Sequence, residues 1–309
     1  MKLLFIILFL FVIDIYFYTG TISTITKFFN NPIIYKLVYW FLSIAVYVVI
    51  IYISITYTRT TPSTRLNNNV IFTSLIGVLF ISKLIGSIPL IIDDVLRLFR
   101  AIISLFNTNS NIHDVKRLDF LKKSALLFSG VLFSTLLIGM KWGRYNFKKN
   151  YQDIFINDWP VALNNYKIIH ISDLHLGSFN DLDKFNEAIE MINAENADLV
   201  VFTGDLVNNY HEEAIPYIDA LKKIKSKDGK LSILGNHDYC DYVMLKRDSQ
   251  EWKTNFKKLL ELEKEVGFDL LLNESRVISK GENKFNIVGV ENWGAGNFNK
   301  DGDLDTAMN

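Results

Sequence analysis

"YKIIHISDLHLGSF" (residues 166–179) runs through apolar residues and then sets Asp173 and His175 two apart beside Gly177. Strand residues i and i+2 point the same way. The spacing therefore predicts two ligand-type side chains leaving the end of a buried strand together. Downstream, "DLDKFNEAIEMINAEN" (181–196) reads as an amphipathic helix with an Asp cap, "DLVVFTGD" (198–205) as a second strand, "EEAIPYIDALKKIK" (212–225) as a second helix and "KLSILGNHD" (230–238) as a third strand. Alternation of apolar strands with helices argues for a parallel sheet with right-handed crossovers. Further on, "SQEWKTNFKKLLELEKEV" (249–266) is a helix and "DLLLN" (269–273) a short strand; "SRVIS" (275–279) and "FNIVGV" (285–290) flank the hairpin turn "KGEN".

Each of the first three strands ends in a polar cluster: Asp173/His175, Gly204/Asp205, and Asn236/His237/Asp238. In open α/β sheets the ligand crevice lies outside the carboxyl ends of the strands. Carboxylate, imidazole and amide groups thus arrive at one edge, and Gly204 and Gly235 permit sharp turns there. The mixed oxygen and nitrogen set suits Mn²⁺, Fe²⁺ or Zn²⁺. A shared carboxylate can bridge two ions about 3.5–4 Å apart, the spacing used for in-line phosphoryl displacement. Cys240 is the sole cysteine, which excludes thiolate metal sites and internal disulfides.

Upstream, the chemistry changes. Residues 1–140 hold twelve Lys/Arg and five Asp but no Glu, whereas the remainder holds twenty-one Lys/Arg against twenty-eight Asp/Glu. The net charge of zero conceals a basic front and an acidic back. The acidic back offers no electrostatic reason for a nucleic-acid partner. Four apolar runs occupy 3–18, 33–57, 70–92 and 121–140. Spanning the hydrocarbon takes about 17–25 helical residues. The last three fit; the first is short, but no small-residue cleavage site follows it, so a retained span is expected. Lys83 lies inside the third run, where a charge is costly. "DDVLRLFRAIISLF" (93–106) carries a polar stripe at Asp93, Asp94, Arg97, Arg100 and Ser104, which reads as a helix in the membrane interface or as an extension of the third span. Six basic residues precede the fourth run (Arg97, Arg100, Lys116, Arg117, Lys122, Lys123) and four follow it (Lys141, Arg144, Lys148, Lys149). That balance predicts a back half outside the cytoplasm. "KRLDFLKK" (116–123) resembles a degenerate twin-arginine export signal, without the arginine pair, and agrees. The expected organisation is a transmembrane region (1–140), a basic linker (141–164) and an α/β domain (165–309).

"D-L-H" (173–175), "G-D" (204–205) and "G-N-H-D" (235–238), in this order on successive strands, resemble the calcineurin-like metallophosphoesterase superfamily over residues 165–309. The four-span front and the "GVENWG…GDLDTAM" ending resemble its membrane-anchored bacterial members. The resemblance implies a two-sheet sandwich with flanking helices and hydrolysis of phosphomonoesters or phosphodiesters by a hydroxide bridging two divalent ions. Asp173 and His175 would bind the first ion, Asp205 both, and Asn236 the second. His237 would contact phosphate and assist the leaving group, with Asp238 supporting the turn. Asn208 stands where some branches carry an aspartate that pairs with this histidine, and its amide cannot act as that carboxylate. The family also uses a later histidine and a "G-H-x-H" block, whereas the histidines here are 113, 170, 175, 211 and 237. The expectation is the N-terminal part of the domain, an incomplete sandwich, with one ligand missing at the first ion, two at the second, and little turnover. His170 is expected to be structural and His211 solvent-exposed. Tyr239, Cys240, Asn292 and Trp293 are expected to pack in loops or to line the crevice.

Membrane tethering suggests a lipid-linked or envelope phosphoester as substrate, the bilayer as partner and the bacterial cytoplasmic membrane as location. Two other readings compete: a catalytically inactive membrane protein whose incomplete domain serves interaction or regulation, and a transporter regulated by that domain.

Overall fold

The computed structural model describes residues 2–27, 32–57, 62–106, 119–243, 245–296 and 299–309. They form two compact units, a helical one that includes Asn68–Arg144 and an α/β one that includes Tyr145–Asn309. Of the charges weighed for sidedness, Lys116 and Arg117 lie outside the described residues, as does His113.

The helical unit contains α1 (Lys2–Ile25), α2 (Pro32–Tyr57), α3 (Pro62–Gly86), α4 (Ile88–Phe106) and α5 (Asp119–Trp142). Four stretches are long and apolar enough to cross a membrane: Leu3–Ile25, Ile33–Ile55, Phe72–Ile103 and Asp119–Tyr145. The chain is an integral membrane protein.

Two spans differ from the sequence expectation. The first extends past residue 18, because Thr19 and Thr21 turn their hydroxyls onto the carbonyls of Ile15 (2.8 Å) and Phe17 (2.6 Å). A hydroxyl bonded back to its own helix needs no water. The third continues through a bend at Ser87 into α4. Pro89 has no N–H to give there, while Ile91 N–H still reaches the Ser87 carbonyl (3.0 Å). The 93–106 segment is thus an extension of the third span, and Asp93, Asp94 and Arg97 of its polar stripe find partners while Arg100 is exposed. Asp93 is buried, Tyr16 of α1 donates to Asp94 (2.6 Å), and Arg97 pairs with Asp94 and Asp93.

Lys83 has its partner on α1. Its ammonium meets Asp14, which is 0% exposed, and Asp14 also accepts from Tyr47 and Tyr39 of α2. The ammonium lies 4.5 Å from the Tyr39 ring centre. A carboxylate that takes a cation and two hydroxyls has most of its lone pairs occupied, a condition for keeping a charge pair out of water.

The α/β unit carries a four-stranded parallel sheet in the order β1 (Ile168–Ile171), β2 (Leu199–Phe202), β3 (Lys230–Ser232), β4 (Asp269–Leu270). An antiparallel hairpin, β5 (Glu274–Lys280) and β6 (Asn283–Gly289), turns at Gly281 with φ of 64°. Period-two alternation in β2 sends Val200 and Phe202 to one face and Leu199 and Val201 to the other. The first pair joins Phe185 and Ile189 of α6 (Leu182–Asn193) and Leu259 and Leu262 of α8 (Gln250–Glu265). The second meets Ile278, Phe285 and Ile287 of the hairpin. Asp181 and Ser249 cap α6 and α8 by accepting from Lys184 N–H and Trp252 N–H. Strand β1 is less buried than its apolar run suggests, since Ile168 and His170 are exposed on its outer face. The expected second helix is broken into short 3₁₀ turns at 211–213 and 215–217 and a single turn α7 (Ile218–Leu221). Pro216 interrupts it by withholding a donor.

Candidate metal centre

Strand β1 stops at Ile171, before the two ligand-type residues. Asp173 (φ 55°) and His175 (φ 45°) both adopt the left-handed conformation, as does Asp205 (φ 58°) after β2. Each costs a non-glycine residue about 1–3 kcal/mol and persists only where its surroundings enforce it. Side-by-side projection from a pleated strand is therefore replaced by a strained loop. That loop is pinned to the next one, with Asp173 N–H donating to Gly204 O (3.0 Å), His175 N–H to Asp205 O (2.9 Å) and Leu176 N–H to Leu206 O (3.0 Å).

The glycines between the clusters serve close approach. At Gly204, with φ of 88°, a Cβ would fall 1.9 Å from Gly235 N, and at Gly235 a Cβ would fall 2.3 Å from Asp205 Oδ1. Asp238 ties these turns together from below. Fully buried, it accepts from Asp205 N–H (2.7 Å), Gly235 N–H (2.9 Å), Leu206 N–H (2.9 Å) and Val207 N–H (3.3 Å). Burial pushes its carboxyl up to about 7; the Gly235 bond opposes this and the neighbouring Asp205 charge adds to it.

The result is a compact set of donors. His175, Asp205 and His237 offer ligand atoms all within 4.8 Å of one another. His175 Nε2 lies 3.6 Å from Asp205 Oδ2 and 3.9 Å from Asp173 Oδ1. Asp173 is mostly exposed and takes the Ser172 hydroxyl. Asp205 is buried, with Oδ1 accepting from His237 N–H (2.9 Å). Carboxylates and imidazoles at this spacing fit a divalent cation of the Mn, Fe or Zn kind. The hydrogen-bonding at His237 is equally specific. Its Nδ1 lies 2.7 Å from the Asn208 carbonyl oxygen, which can only accept, so Nδ1 carries the proton and Nε2 is left for the site. The ring stands edge-on to His175 (4.6 Å, 88°) and stacks on Tyr242 (4.2 Å, 17°). Asn236 donates through Nδ2 to Tyr242 Oη (2.5 Å).

Asn208 enters through its backbone, while its side chain meets Ser178 Oγ (3.2 Å). Buried Glu213 holds that backbone, accepting from Asn208 N–H (2.6 Å) and Tyr210 N–H (3.2 Å). Desolvation raises the carboxyl of Glu213, with those backbone bonds pulling the other way. Sequence reasoning missed Glu213 and Tyr242. Tyr at position 210 hides the Ser/Thr-x-x-Glu signature that marks such a clamp. Tyr242 belongs to no motif.

The other candidates fall elsewhere. His211, expected to be exposed, is 8% exposed, and its Nδ1 and backbone N–H both meet Asn255 Oδ1 (2.8 and 2.9 Å). His170 bonds Thr203 Oγ1 (2.7 Å) on the exposed face of β1. Tyr239 and Cys240 are buried, and Tyr239 Oη donates to Glu291 (2.5 Å). Trp293 borders a separate cleft with Val290 and residues 300–305, while Asn292 accepts from Asp301 and Gly302 through its carbonyl.

Residues 1–144 match the family model described as a probable calcineurin-like phosphoesterase transmembrane domain, and residues 166–306 match the calcineurin-like phosphoesterase model. Among relatives, the uncharacterized metallophosphoesterase YkuE of Bacillus subtilis is 38% identical over 27% of this chain and 30% of its own length. An uncharacterized metallophosphoesterase of Helicobacter pylori is 30% identical over 41% of this chain and 36% of its own. YkoQ of Bacillus subtilis is 28% identical over 53% of this chain and 60% of its own. The matched part thus spans between 30% and 60% of these relatives. No solved structure matches. With one model matching the helical unit and another the α/β unit, the chain belongs to the calcineurin-like metallophosphoesterases that carry an N-terminal transmembrane domain.

Proposed function

We propose that the protein is a membrane-tethered phosphoester hydrolase that works with two divalent ions. The observation that supports this reading is the cluster of His175, Asp205 and His237, with Asp173 beside His175, past the ends of three parallel strands. Asp173 and His175 would hold the first ion, Asp205 would serve both, and Asn236 would offer its amide oxygen to the second. A bound pair neutralises phosphate oxygens and makes a water acidic enough to attack near neutral pH. His237, with Nδ1–H on the Asn208 carbonyl, directs Nε2 into the site. There it contacts phosphate and, when protonated, gives a proton to the leaving oxygen. Asp238 and Glu213 keep the three loops in place so that these groups need not reorganise.

The family leaves monoester against diester open; tethering favours a lipid-linked or envelope phosphoester of a bacterial cytoplasmic membrane. Arg97 and Arg100 lie within the third span and Lys122, Lys123, Lys141 and Arg144 within the fourth, so Lys116 and Arg117 precede the fourth span and Lys148 and Lys149 follow it. An extracytoplasmic domain then rests on the likeness of residues 116–123 to an export signal. A reporter fused after Asn150 tests it.

The deciding experiment measures metal content of the purified full chain and its hydrolysis of bis-(p-nitrophenyl) phosphate with Mn²⁺. Bound metal that is lost in Asp205→Ala supports the reading. A chain that binds no metal with Asp205 intact sinks it. Metal bound tightly without turnover on any phosphoester would point to the interaction role instead.

A further inference from the structure

Tyr242 has no place in the motifs, yet its side chain touches two of the groups that would do the chemistry. It lies just past the GNHD turn and is 50% exposed. Its Oη accepts from Asn236 Nδ2 (2.5 Å), and its ring stacks on His237 at 4.2 Å and 17°.

An amide side chain has two unlike ends. Only Oδ1 can bind a cation, and in solution the group can present either end. A phenol hydroxyl can accept from Nδ2 or donate to Oδ1, but in the arrangement observed it takes Nδ2, which leaves Oδ1 turned away from it. This is how partners outside a metal's ligands usually act, fixing which atom faces the ion. The stacked ring does a comparable service for His237. Asn208 holds its Nδ1–H, and the phenol covers one face, so the imidazole is constrained both in its plane and across it.

The loop bearing Tyr242 is itself braced. Arg247 forks onto Asp241 through Nε (2.8 Å) and Nη2 (2.6 Å), and onto Asp301 through Nη1 (2.6 Å) and Nη2 (3.1 Å). Asn299 Nδ2 adds a bond to Asp241 (3.0 Å). Arg–carboxylate forks of this kind fix geometry as well as charge. A half-exposed tyrosine on an ordinary loop would sample many rotamers. One that leaves a loop clamped at the adjacent residue has far fewer.

We infer that Tyr242 is a positioning residue, whose hydroxyl orients Asn236 toward the second divalent ion and whose ring holds His237 in place. The inference rests on the dimetal reading above and adds to it a residue that the family motifs do not contain.

The test uses the full chain in detergent, titrated with Mn²⁺ and followed by calorimetry and electron paramagnetic resonance. Tyr242→Phe keeps the ring and removes the acceptor. It should weaken the Asn236-dependent site about tenfold, the usual loss when such an outer partner goes, and leave the Asp173/His175 site unchanged. Asn236→Ala should remove the same site, and adding Tyr242→Phe to it should change nothing further. Tyr242→Leu, which also removes the stacked ring, should weaken that site at least as much. A metal-free readout runs in parallel: side-chain amide protons of Asn236 should exchange faster with solvent in Tyr242→Phe. A wild type that binds a single ion, with that ion unaffected by Asn236→Ala, overturns the inference. Equal affinity and equal exchange in wild type and Tyr242→Phe would overturn the inference alone, as would equal weakening of both sites. A wild type that binds no metal overturns the dimetal reading and the inference with it.

Discussion

The two units of this protein hide opposite things. In the helical unit Asp14, Lys83, Asp93, Ser43 and Ser82 are buried, while Phe5, Phe41 and Phe106 stand exposed, the last at 86%. In the α/β unit Phe185, Phe202, Leu221 and Leu259 are buried, and most lysines lie outside with surface partners such as Lys222–Glu265 and Lys184–Glu187. One chain thus follows two burial rules, and the surrounding medium sets them. Water rewards removal of apolar surface. A bilayer does not, so helices meet there through polar side chains that hydrocarbon would leave unsatisfied.

The sharpest way to break this comparison is at Lys83. Lys83→Leu would leave the Asp14 carboxylate buried without its cation and should destabilise the helical unit by about 3–5 kcal/mol, read as a lower melting temperature in detergent. The double change Asp14→Leu with Lys83→Leu should recover most of that loss. A single mutant as stable as wild type would mean the pair contributes nothing.

In the α/β unit the largest effect belongs to Asp205. Asp205→Ala should cost at least about 100-fold in metal affinity, equivalent to about 2.7 kcal/mol, while the helical unit melts unchanged. Calorimetric titration with Mn²⁺ reads the first and detergent-resistant helicity the second.

Glu263 gives a smaller effect with a pH signature. It is fully buried on α8, accepts from Ser232 Oγ (3.0 Å), and its Oε1 has no hydrogen-bond partner among the described residues. Desolvation first, and then the charge of Asp238, push its carboxyl up to about 8. A carboxyl raised in the folded state favours folding fully below its ordinary pKa, and that contribution drains away as pH climbs toward the raised value. Stability should therefore fall as pH rises between about 5 and 8. Glu263→Gln should flatten the slope, as melting temperatures across that window would reveal. Smallest of all, Tyr47→Phe removes one hydroxyl from Asp14 and should cost the helical unit about 1 kcal/mol.

How much of this was legible beforehand differs from place to place. Asp173, His175, Asp205, Asn236, His237 and Asp238 could be read off because short motifs at strand ends are local patterns, and topology brings strand ends together. The four spans were legible from apolar length. Their polar interior was not, since Asp14 and Lys83 are 69 residues apart and nothing local links them. His211 read as exposed because a polar residue beside a predicted helix usually is; Asn255, from α8, supplies the partner that lets it be buried. Glu213 read as one face of a helix that Pro216 and the clamp on residues 208–210 prevent from forming.

What the amino-acid order determined alone was the arrangement: apolar helices, then a parallel α/β sheet with ligand-type residues at its carboxyl edge. Those features come from periodicity and spacing, which a chain carries before it folds. The tertiary structure decided how the groups present themselves. It forced Asp173, His175 and Asp205 into left-handed turns, tied them together through Asp238, set the His237 tautomer with the Asn208 carbonyl, and brought Tyr242 onto Asn236. The ties of Asp238 to Asp205 and of His237 to Asn208 join residues 33 and 29 apart, so they exist only once the backbone has closed around them.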